Sequence, residues 1–395
     1  MNPETISFID LRPAEDDAAV REAIERVLAS GWFVLGPEVE AFEAEFAAAS
    51  GAAHCIGVGN GTDAISLLLR AIGVGDGDEV IVPAMTAAYT GLAVLLAGAT
   101  PVFADVEPEA LTLDPGACEA AITERTVAIV PVHLYGQPAN MPALHAIAER
   151  HSLAIVEDCC QAHLATCAGR PVGTFGTGGA FSFYPTKNLG ALGDGGAVVT
   201  SDASIAMRIR RLRNGGQINR YVHDEAGVNS RLDELQAAVL RARLPLLPRW
   251  TARRRTLAAA YRRLLGDGDR PAHWRDDQRD SHRMVCPLTQ RDDGHVYHLF
   301  VVRTSERDAL QAHLTASGVG TLVHYPVPLT RQPAFAAVPR ARVAHARPVS
   351  TTFCPVAERA GEDILSLPLH PRLADTDVER VGLAVNHFQK GHILA

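Results

Sequence analysis

The sequence predicts an α/β protein in which a mostly parallel sheet is covered by helices. Short apolar runs rich in β-branched residues alternate with stretches of helical periodicity, which is the pattern of parallel strands linked by helices. The apolar runs are nearly continuous, as in strands that are buried on both faces. The chain has 395 residues, of which 47% are hydrophobic, and that length favours two domains over one.

The strands and helices alternate along the chain. The clearest strands lie at Val80–Val82, Ala128–Val132, Leu153–Val156, Ala180–Phe183 and Ala197–Val199. Helical patterns cover Thr62–Ile72, Met141–Ser152, Ser201–Leu212 and Leu232–Leu244. Pro245 and Pro248 then interrupt the helical pattern, and we place the approach to a domain boundary there.

We expect a large α/β domain over residues 1–250, whose N-terminal segment packs partly on a smaller α+β domain over residues 251–395. In the smaller domain, the pattern at His295–Val302 predicts a strand and the pattern at Glu306–Ser317 predicts a helix. The charged stretch from 267 to 283 contains a proline and predicts a loop ahead of them.

Charge and hydropathy restrict the possible functions. The 37 basic and 45 acidic side chains give a net charge of −8, which disfavours broad binding to nucleic acid. No apolar run reaches the roughly 18 residues of a membrane span, and no charged-then-apolar pattern at the N-terminus indicates a signal peptide. We therefore expect a soluble, cytoplasmic protein that binds neither nucleic acid nor membrane.

Two strand ends carry the residue types that a pyridoxal 5'-phosphate (PLP) enzyme needs. Asp158 closes the run Leu153–Val156, and Lys187 follows the run Ala180–Phe183. A lysine amine can form a Schiff base with PLP, and a carboxylate at the ring nitrogen keeps the ring an electron sink. At about 3 Å and an effective dielectric near 20, that ion pair interacts by roughly 5 kcal/mol. Taken singly, Asp158 could equally well cap the next helix, and Lys187 could be a lysine exposed to solvent.

A glycine-rich turn between residues 57 and 63 predicts a phosphate site. Its sequence Gly-Val-Gly-Asn-Gly-Thr-Asp lets backbone N–H groups approach an anion, and a helix begins after it. We expect Gly61 and Thr62 to donate to the phosphate of PLP, with the Ser182 hydroxyl as a further donor. Alone, this turn would be an ordinary link between a strand and a helix, because it matches neither a Walker motif nor GxGxxG.

Several blocks of the sequence resemble the DegT/StrS family of PLP-dependent nucleotide-sugar aminotransferases. These blocks are Val156–His163, Phe181–Thr200, Gly227–Ala238, Gly77–Ala84, His324–Pro326 and Leu365–Pro368. The resemblance runs from about residue 8 to about residue 388 and is nearest to the dTDP-3-keto-6-deoxyhexose 3-aminotransferases. It implies PLP fold type I, which is the fold of aspartate aminotransferase, and a homodimer.

The resemblance also implies roles for individual residues. Gln161 matches a residue on the hydroxyl side of the PLP ring, and Ser182 matches a phosphate ligand. Asn229 matches an asparagine that reaches the phosphate of the partner subunit. Without the resemblance, Asn229 would be read as a turn residue. We expect the substrate residues to be His324, Arg231, Arg220 and Tyr184, with the arginines able to meet a diphosphate.

The sequence departs from the family pattern at three positions, one of which is Gly215, where relatives often carry tyrosine or histidine. Many relatives place an aromatic residue directly after the threonine that matches Thr86, where it stacks on the PLP ring. Here Ala87 and Ala88 follow, so we expect Tyr89, or an apolar neighbour such as Met85, to cover the ring. Leu164 stands where many relatives have glycine.

The function that follows is transamination in two half-reactions. L-Glutamate first gives its amino group to the cofactor. The keto sugar of a nucleotide-diphosphate sugar then receives the amino group, and we expect this sugar to be a dTDP-3-keto-6-deoxyhexose. The product would serve amino-deoxysugar and antibiotic biosynthesis. One alternative acceptor is a keto-cyclitol, and an alternative of another class is a PLP-binding regulator without turnover. We expect no metal: Cys159, Cys160 and Cys167 near His163 resemble zinc ligands, but adjacent cysteines diverge at a strand end.

Overall fold

The computed structural model describes residues 5–12, 15–266, 284–291, 293–336 and 354–391. The predicted loop at residues 267–283 lies outside this part of the chain. The strands are β1 (His54–Val58), β2 (Glu79–Pro83), β3 (Thr100–Ala104), β4 (Thr126–Ile129), β5 (Ala154–Asp158), β6 (Thr166–Cys167), β7 (Arg170–Pro171), β8 (Gly178–Ser182), β9 (Gly196–Thr200), β10 (Gln217–Asn219), β11 (Val222–His223), β12 (Cys286–Pro287), β13 (Phe300–Arg303) and β14 (Ile364–Leu367).

The helices lie between these strands and at both ends of the described chain. They are α1 (Asp17–Ser30), α2 (Pro37–Ser50), α3 (Gly61–Ala71), α4 (Ala88–Leu96), α5 (Pro115–Ala120), α6 (Met141–His151), α7 (Ala203–Leu212), α8 (Glu234–Arg243), α9 (Leu247–Leu265), α10 (Arg307–Ala316), α11 (Pro355–Asp363) and α12 (Asp375–Lys390). Among the described residues, no helix combines the length and the apolar character that a membrane span requires.

The central sheet has the order β1-β9-β8-β5-β4-β2-β3. Neighbouring strands pair in parallel except at β9, which runs antiparallel to both β1 and β8. The five predicted strands appear as β2, β4, β5, β8 and β9, and the mostly parallel α/β fold is confirmed. Strand β4 ends at Ile129 and not at Val132, because Pro131 has no N–H to donate to a neighbouring strand.

Helices α3, α6, α7 and α8 confirm the four predicted helices to within two residues at each end. Polar side chains begin α3, α6 and α7 by accepting from the free N–H groups of the first turn. Asn60 Oδ1 accepts from the Asp63 N–H at 2.9 Å, and Asp202 Oδ1 accepts from the Ser204 N–H at 2.8 Å. The fully buried Leu67 and Leu68 of α3 belong to the core that packs on the sheet.

A second, antiparallel sheet has the order β12-β13-β14 and packs against α9, α10 and α12. Its buried core includes Tyr261 of α9 and Phe300 of β13. Ile6 joins this core from the N-terminal segment, where its N–H donates to the Gly318 carbonyl at 2.9 Å. Because α9 continues through residue 250 without a break, the division of the chain at that residue stays a prediction.

Leu164 adopts the left-handed backbone conformation, with φ of 59°. For a residue with a side chain this conformation costs roughly 1–2 kcal/mol, and glycine avoids that cost. The half-buried Leu164 side chain packs against the core cluster that contains Phe181 and Phe183, and this burial offsets part of the cost. Leucine in place of glycine at position 164 therefore adds backbone strain to this turn, and the burial of its side chain offsets only part of that strain.

Glycine allows a close backbone contact at the carboxyl edge of the central sheet. Gly196, the first residue of β9, pairs with Val58 and Ser182, which end β1 and β8. A Cβ on Gly196 would lie 2.4 Å from the carbonyl carbon of Asn60, a separation that side chains do not tolerate. The turn before α3 can therefore lie directly against the start of β9.

We predict that Gly196→Ala pushes the Asn60 turn away from β9 and lowers the free energy of unfolding by about 1–3 kcal/mol, the usual cost of overpacking. Urea unfolding followed by circular dichroism measures the loss. Gly75→Ala is the matched control, because nothing lies within 4 Å of a Cβ at Gly75. Equal stability of the two variants would contradict this account of the contact.

Candidate active site

The ends of β5 and β8 place Asp158 and Lys187 at one edge of the central sheet. Asp158 is the last residue of β5 and pairs with Ala180 of β8. After β8 the chain turns back, and the Lys187 N–H donates to the Tyr184 carbonyl oxygen at 2.8 Å. Because the two strands are parallel, both ends open at the edge where ligands of α/β sheets bind.

The Asp158 carboxylate is buried and hydrogen-bonded, with 5% of the residue exposed. The Thr90 hydroxyl donates to Oδ2 at 2.8 Å, and the Cys160 N–H donates to Oδ1 at 3.1 Å. In the part of the chain that the structure describes, no lysine, arginine or histidine forms an ion pair with it. A buried carboxylate without a counter-charge favours a cation beside it.

The Lys187 amine lies in a buried environment that favours its neutral form. Burial lowers the pKa of Lys187 from its ordinary value, and the nearby Cys160 and Asp158 act in the opposite direction. Burial, followed by the charge of Lys187, lowers the pKa of His163 to about 3 and that of His324 to about 4. Both imidazoles are therefore neutral near pH 7.

The N-terminus of α3 lies against the end of β8. A Cβ on Gly61 would lie 2.7 Å from Cys160 Sγ and 2.8 Å from Ser182 Cβ, so the helix can begin here only with glycine. The first N–H groups of a helix have no partner inside it and favour an anion. Thr62 follows within the first turn, and the Ser182 Oγ accepts from the Tyr184 N–H at 3.3 Å. This corner suits a phosphate group.

Gln161 links two tyrosines that border the same edge. Its Oε1 accepts from the Tyr135 N–H at 2.6 Å, and its Nε2 donates to the Tyr325 hydroxyl at 3.0 Å. The Tyr135 hydroxyl donates in turn to the His324 carbonyl oxygen. Burial, followed by the charge of Asp158, raises the pKa of Tyr325. Gln161 and His324 thus belong to one network, and its phenols remain protonated.

The reasoning from sequence did not identify Thr90, Tyr135 or Tyr325 as site residues. Tyr325 could have been identified from the sequence, because it lies in the His324–Pro326 block that carries the resemblance. Thr90 and Tyr135 had no comparable signal, since neither lies in a block that carries the resemblance. Their position at the site depends on which strands and helices are neighbours.

The remaining predicted residues lie at the surface of the single chain. Tyr89 on α4 is 65% exposed and Tyr184 is 51% exposed. Asn229 and Arg220 are also exposed, and Arg231 is half-buried with its Nη1 donating to Asn214 Oδ1 at 2.9 Å. Within the described residues, none of these five side chains forms a hydrogen bond or ion pair with Lys187 or Asp158.

These residues together fit PLP. The Lys187 amine can bond to an aldehyde, and the unpaired Asp158 carboxylate can compensate a protonated ring nitrogen. The N-terminus of α3 can accept the phosphate. The three features match the three chemically distinct parts of the cofactor, although each of them has another common use in proteins.

A second group of potential ligand atoms lies beneath the site, formed by His133, Glu157 and Cys159. Hydrogen bonds within the protein already satisfy the polar atoms of His133 and Glu157. Glu157 accepts from the N–H groups of Gly173 at 2.8 Å and Phe175 at 2.7 Å, and pairs with His133 Nε2 at 3.1 Å. His133 Nδ1 accepts from a backbone N–H at 3.1 Å. This group therefore holds the loop after β7 in place without a metal.

Comparison with known proteins gives a consistent result over nearly the whole chain. The model of the DegT/DnrJ/EryC1/StrS aminotransferase family matches residues 14–386. The chain is 50% identical over 380 residues to the erythromycin biosynthesis sensory transduction protein EryC1 of Saccharopolyspora erythraea, with 95% of this chain and 97% of that protein covered.

A sequence match and a solved structure from Streptomyces venezuelae agree with this result. The dTDP-3-amino-3,4,6-trideoxy-alpha-D-glucose transaminase is 48% identical over 385 residues, covering 97% of this chain and 96% of that protein. The crystal structure of S. venezuelae DesV in complex with a ketimine intermediate superposes with a TM-score of 0.88 at 47% identity, covering 98% of this chain and 99% of that chain.

We predict that Thr90→Val weakens the support of the buried Asp158 carboxylate. The valine keeps the shape of threonine but removes the donor to Oδ2, and a buried acceptor that loses a donor costs about 1–3 kcal/mol in free energy of unfolding. Urea unfolding of the cofactor-free protein measures the cost. Thr90→Ser, which keeps the hydroxyl, is the control, and a valine variant as stable as the serine variant would refute the role of this hydrogen bond.

Proposed function

The chain belongs to the DegT/DnrJ/EryC1/StrS aminotransferase family, and on that premise we propose that it is a sugar aminotransferase with PLP as cofactor and L-glutamate as amino donor. The acceptor is the keto group of a nucleotide-linked sugar, in particular a dTDP-3-keto-6-deoxyhexose. The observation that carries this proposal is the pair of Lys187 and Asp158, an amine of lowered pKa and a buried carboxylate without a counter-charge.

Each part of the site has one task in this proposal. PLP, when bound, supplies an electron sink for the bonds of the carbon that carries the amino group. Lys187 holds the cofactor through Nζ, and Asp158 supplies the counter-charge for the ring nitrogen. The N-terminus of α3 would hold the phosphate, with Gly61, Thr62 and Ser182 as donors. Gln161 orients the ring edge through the network it shares with Tyr325.

Lys187 Nζ also acts as the base. A lowered pKa increases the fraction of neutral amine near pH 7, and only the neutral amine accepts a proton. In the proposed reaction, the amino group of the donor would displace Nζ from the cofactor carbon C4′, and the freed Lys187 amine would then move the proton from the Cα of the donor to C4′. The neutral imidazoles of His163 and His324 border the amine without adding a competing cation.

The proposed acceptor follows from the similar proteins and from the chemistry of the site. The S. venezuelae transaminase is named for a dTDP-linked sugar that carries its amino group at C3, which supports amination at C3 here. His324, Arg231, Arg220, Tyr184 and Tyr89 are the residues that we assign to the sugar nucleotide and to covering the ring. A keto-cyclitol is the alternative acceptor. Mass spectrometry of the product from dTDP-3-keto-6-deoxyhexose and L-glutamate tests the assignment.

The second candidate function is that of a PLP-binding regulator without turnover. It is favoured by the printed name of EryC1, a sensory transduction protein, which is 50% identical to this chain. The presence of both Lys187 and Asp158 favours catalysis. A change in the absorbance spectrum of the bound cofactor on addition of L-glutamate would decide for the enzyme, and an unchanged spectrum would favour the regulator.

The proposed active form is a cytoplasmic homodimer. Exposed large hydrophobic side chains, among them Trp32, Phe33 and Tyr221, support a second copy of the chain as partner. Asn229 then reaches the phosphate site of the partner subunit. Seven free cysteines support a reducing compartment.

We predict that Lys187→Ala abolishes turnover, because the variant lacks both the amine that holds the cofactor and the base. The chain has two lysines, Lys187 and Lys390. Borohydride should therefore fix the cofactor to one peptide, the one that contains Lys187, in the wild type. Lys390→Ala at the exposed end of α12 is the matched control and should keep full activity. Substantial transaminase activity in Lys187→Ala would overturn the assignment.

A second prediction concerns assembly. Asn229→Ala and Lys187→Ala are each expected to be inactive, but a mixture of the two should regain activity, since one site of a hybrid dimer carries both intact residues. The mixture is unfolded, refolded together and assayed with L-glutamate. A fully active monomer in light scattering, or no recovery in a mixture shown to contain hybrids, would contradict the proposed sharing of the site.

A further inference from the structure

A cavity of about 230 Å³ opens beside Lys187. Its wall includes Lys187, Asn188, Asp10, Arg254, His370 and Arg372. The N-terminal segment, the loop that carries Lys187, α9 and the loop after β14 all contribute to it. Sites for larger organic ligands usually enclose roughly 300–1,000 Å³, so this cavity suits a small molecule better than a whole nucleotide sugar.

Arg254 is the unusual residue of this wall. It is 4% exposed, and its Nη1 donates to the carbonyl oxygens of Tyr297, His298 and Leu369 at 3.2, 3.3 and 2.8 Å. Its buried Nε has no hydrogen-bond partner. Burial lowers the pKa of Arg254 to about 10, which leaves the guanidinium charged at neutral pH.

No carboxylate of the described chain forms an ion pair with Arg254, although acids line the same cavity. Each of them has another arginine as partner. Asp10 pairs with Arg12 at 2.7 Å and with Arg372 at 3.2 Å. Asp16 pairs with Arg243 at 2.7 Å, and Glu15 pairs with Arg249. The positive charge of Arg254 is therefore available to an anion in the cavity.

His370 adds a second buried nitrogen atom without a hydrogen-bond partner. Its Nδ1 is buried and makes no hydrogen bond. Burial, followed by the charge of Arg254, lowers the pKa of His370 to about 4, so the ring is neutral near pH 7. Buried polar atoms are rarely left unsatisfied in proteins, and Arg254 and His370, each with one such atom, both line this cavity.

We propose that this cavity binds a carboxylate of the amino donor, with Arg254 as the cation that holds it. The inference rests on the proposed function, because it needs a small amino acid that reacts at Lys187. A guanidinium recognises a carboxylate through two parallel N–H donors, and the common wall brings the bound acid to the same space as the amine. Arg254 thereby selects dicarboxylic amino acids and their 2-oxo acids over donors without a second anionic group.

The test uses glutarate, a dicarboxylate that has no amino group and cannot react. Isothermal titration of the PLP-loaded dimer measures its dissociation constant without turnover. Arg254→Gln removes one partner of a hydrogen-bonded charge pair. We therefore expect it to weaken glutarate binding and to raise the KM for L-glutamate, each roughly 10- to 100-fold. The KM for the nucleotide sugar should stay within about twofold, and Arg254→Lys should recover part of the glutarate affinity.

Arg253→Gln is the matched control. Arg253 precedes Arg254 on α9 but donates to the Leu373 carbonyl at 2.7 Å and to Asp375 at 2.8 Å, outside the cavity. Its glutarate affinity should equal that of the wild type. Arg254 also donates to three carbonyl oxygens, so its variants could fail to fold. In that case a crystal structure of the wild-type holoenzyme with glutarate decides. A glutarate carboxylate at Arg254 supports the inference, and a carboxylate elsewhere overturns it.

The inference and the proposed function fail in different ways. A wild-type protein that converts L-glutamate but binds glutarate away from Arg254, or with equal affinity in Arg254→Gln, overturns the inference alone. A raised KM for the nucleotide sugar with unchanged glutarate binding also overturns it and assigns the cavity to the diphosphate. A wild-type spectrum that does not respond to L-glutamate, at a site that binds glutarate, overturns the proposed function instead.

Discussion

The parallel pairing of β5 with β8 is the constraint on which the site depends. It sets Asp158 opposite Ala180, so that the carboxylate and the loop of Lys187 leave the sheet at the same edge. The glycines at 61 and 196 let the start of α3 lie against that edge, where a Cβ would overlap neighbouring atoms. An acid, an amine and a helix N-terminus therefore meet in one small volume because three backbone segments approach closely.

Burial gives these groups their chemical properties. Removal from water disfavours a charged amine and a charged carboxylate alike, and the chain compensates the acid with neutral donors from Thr90 and Cys160. It leaves the counter-charge to be supplied by a bound cation. At the same time, burial lowers the pKa of Lys187. These two effects suit the protonated cofactor ring and the neutral Lys187 amine that the proposed function requires.

Two ways of binding anions occur around the same amine. The N-terminus of α3 offers backbone N–H groups, which suit a phosphate because several donors converge on its oxygens. Arg254 offers a planar guanidinium fixed by three carbonyl oxygens, which suits the planar carboxylate. Under the proposed function, the shapes of these donor groups assign the phosphate and the amino donor to separate places, and the exposed Tyr89 and Tyr184 side chains are assigned to the ring and the sugar nucleotide.

The sequence by itself determined five strands of the central sheet, four of the helices and the two residues at the centre of the proposed chemistry. Apolar periodicity and capping residues act over a few positions, so β5, β8 and α3 could be predicted, and Asp158 and Lys187 lie directly after predicted strands. Only the tertiary structure decided that Thr90 supports Asp158 across 68 positions, or that Arg254 lines a cavity whose acids pair with other arginines. It also decided that Asn229 stays apart from Lys187 within one chain. The reason is physical: strand order and helix packing set which distant residues touch, and no local pattern in the sequence encodes that order.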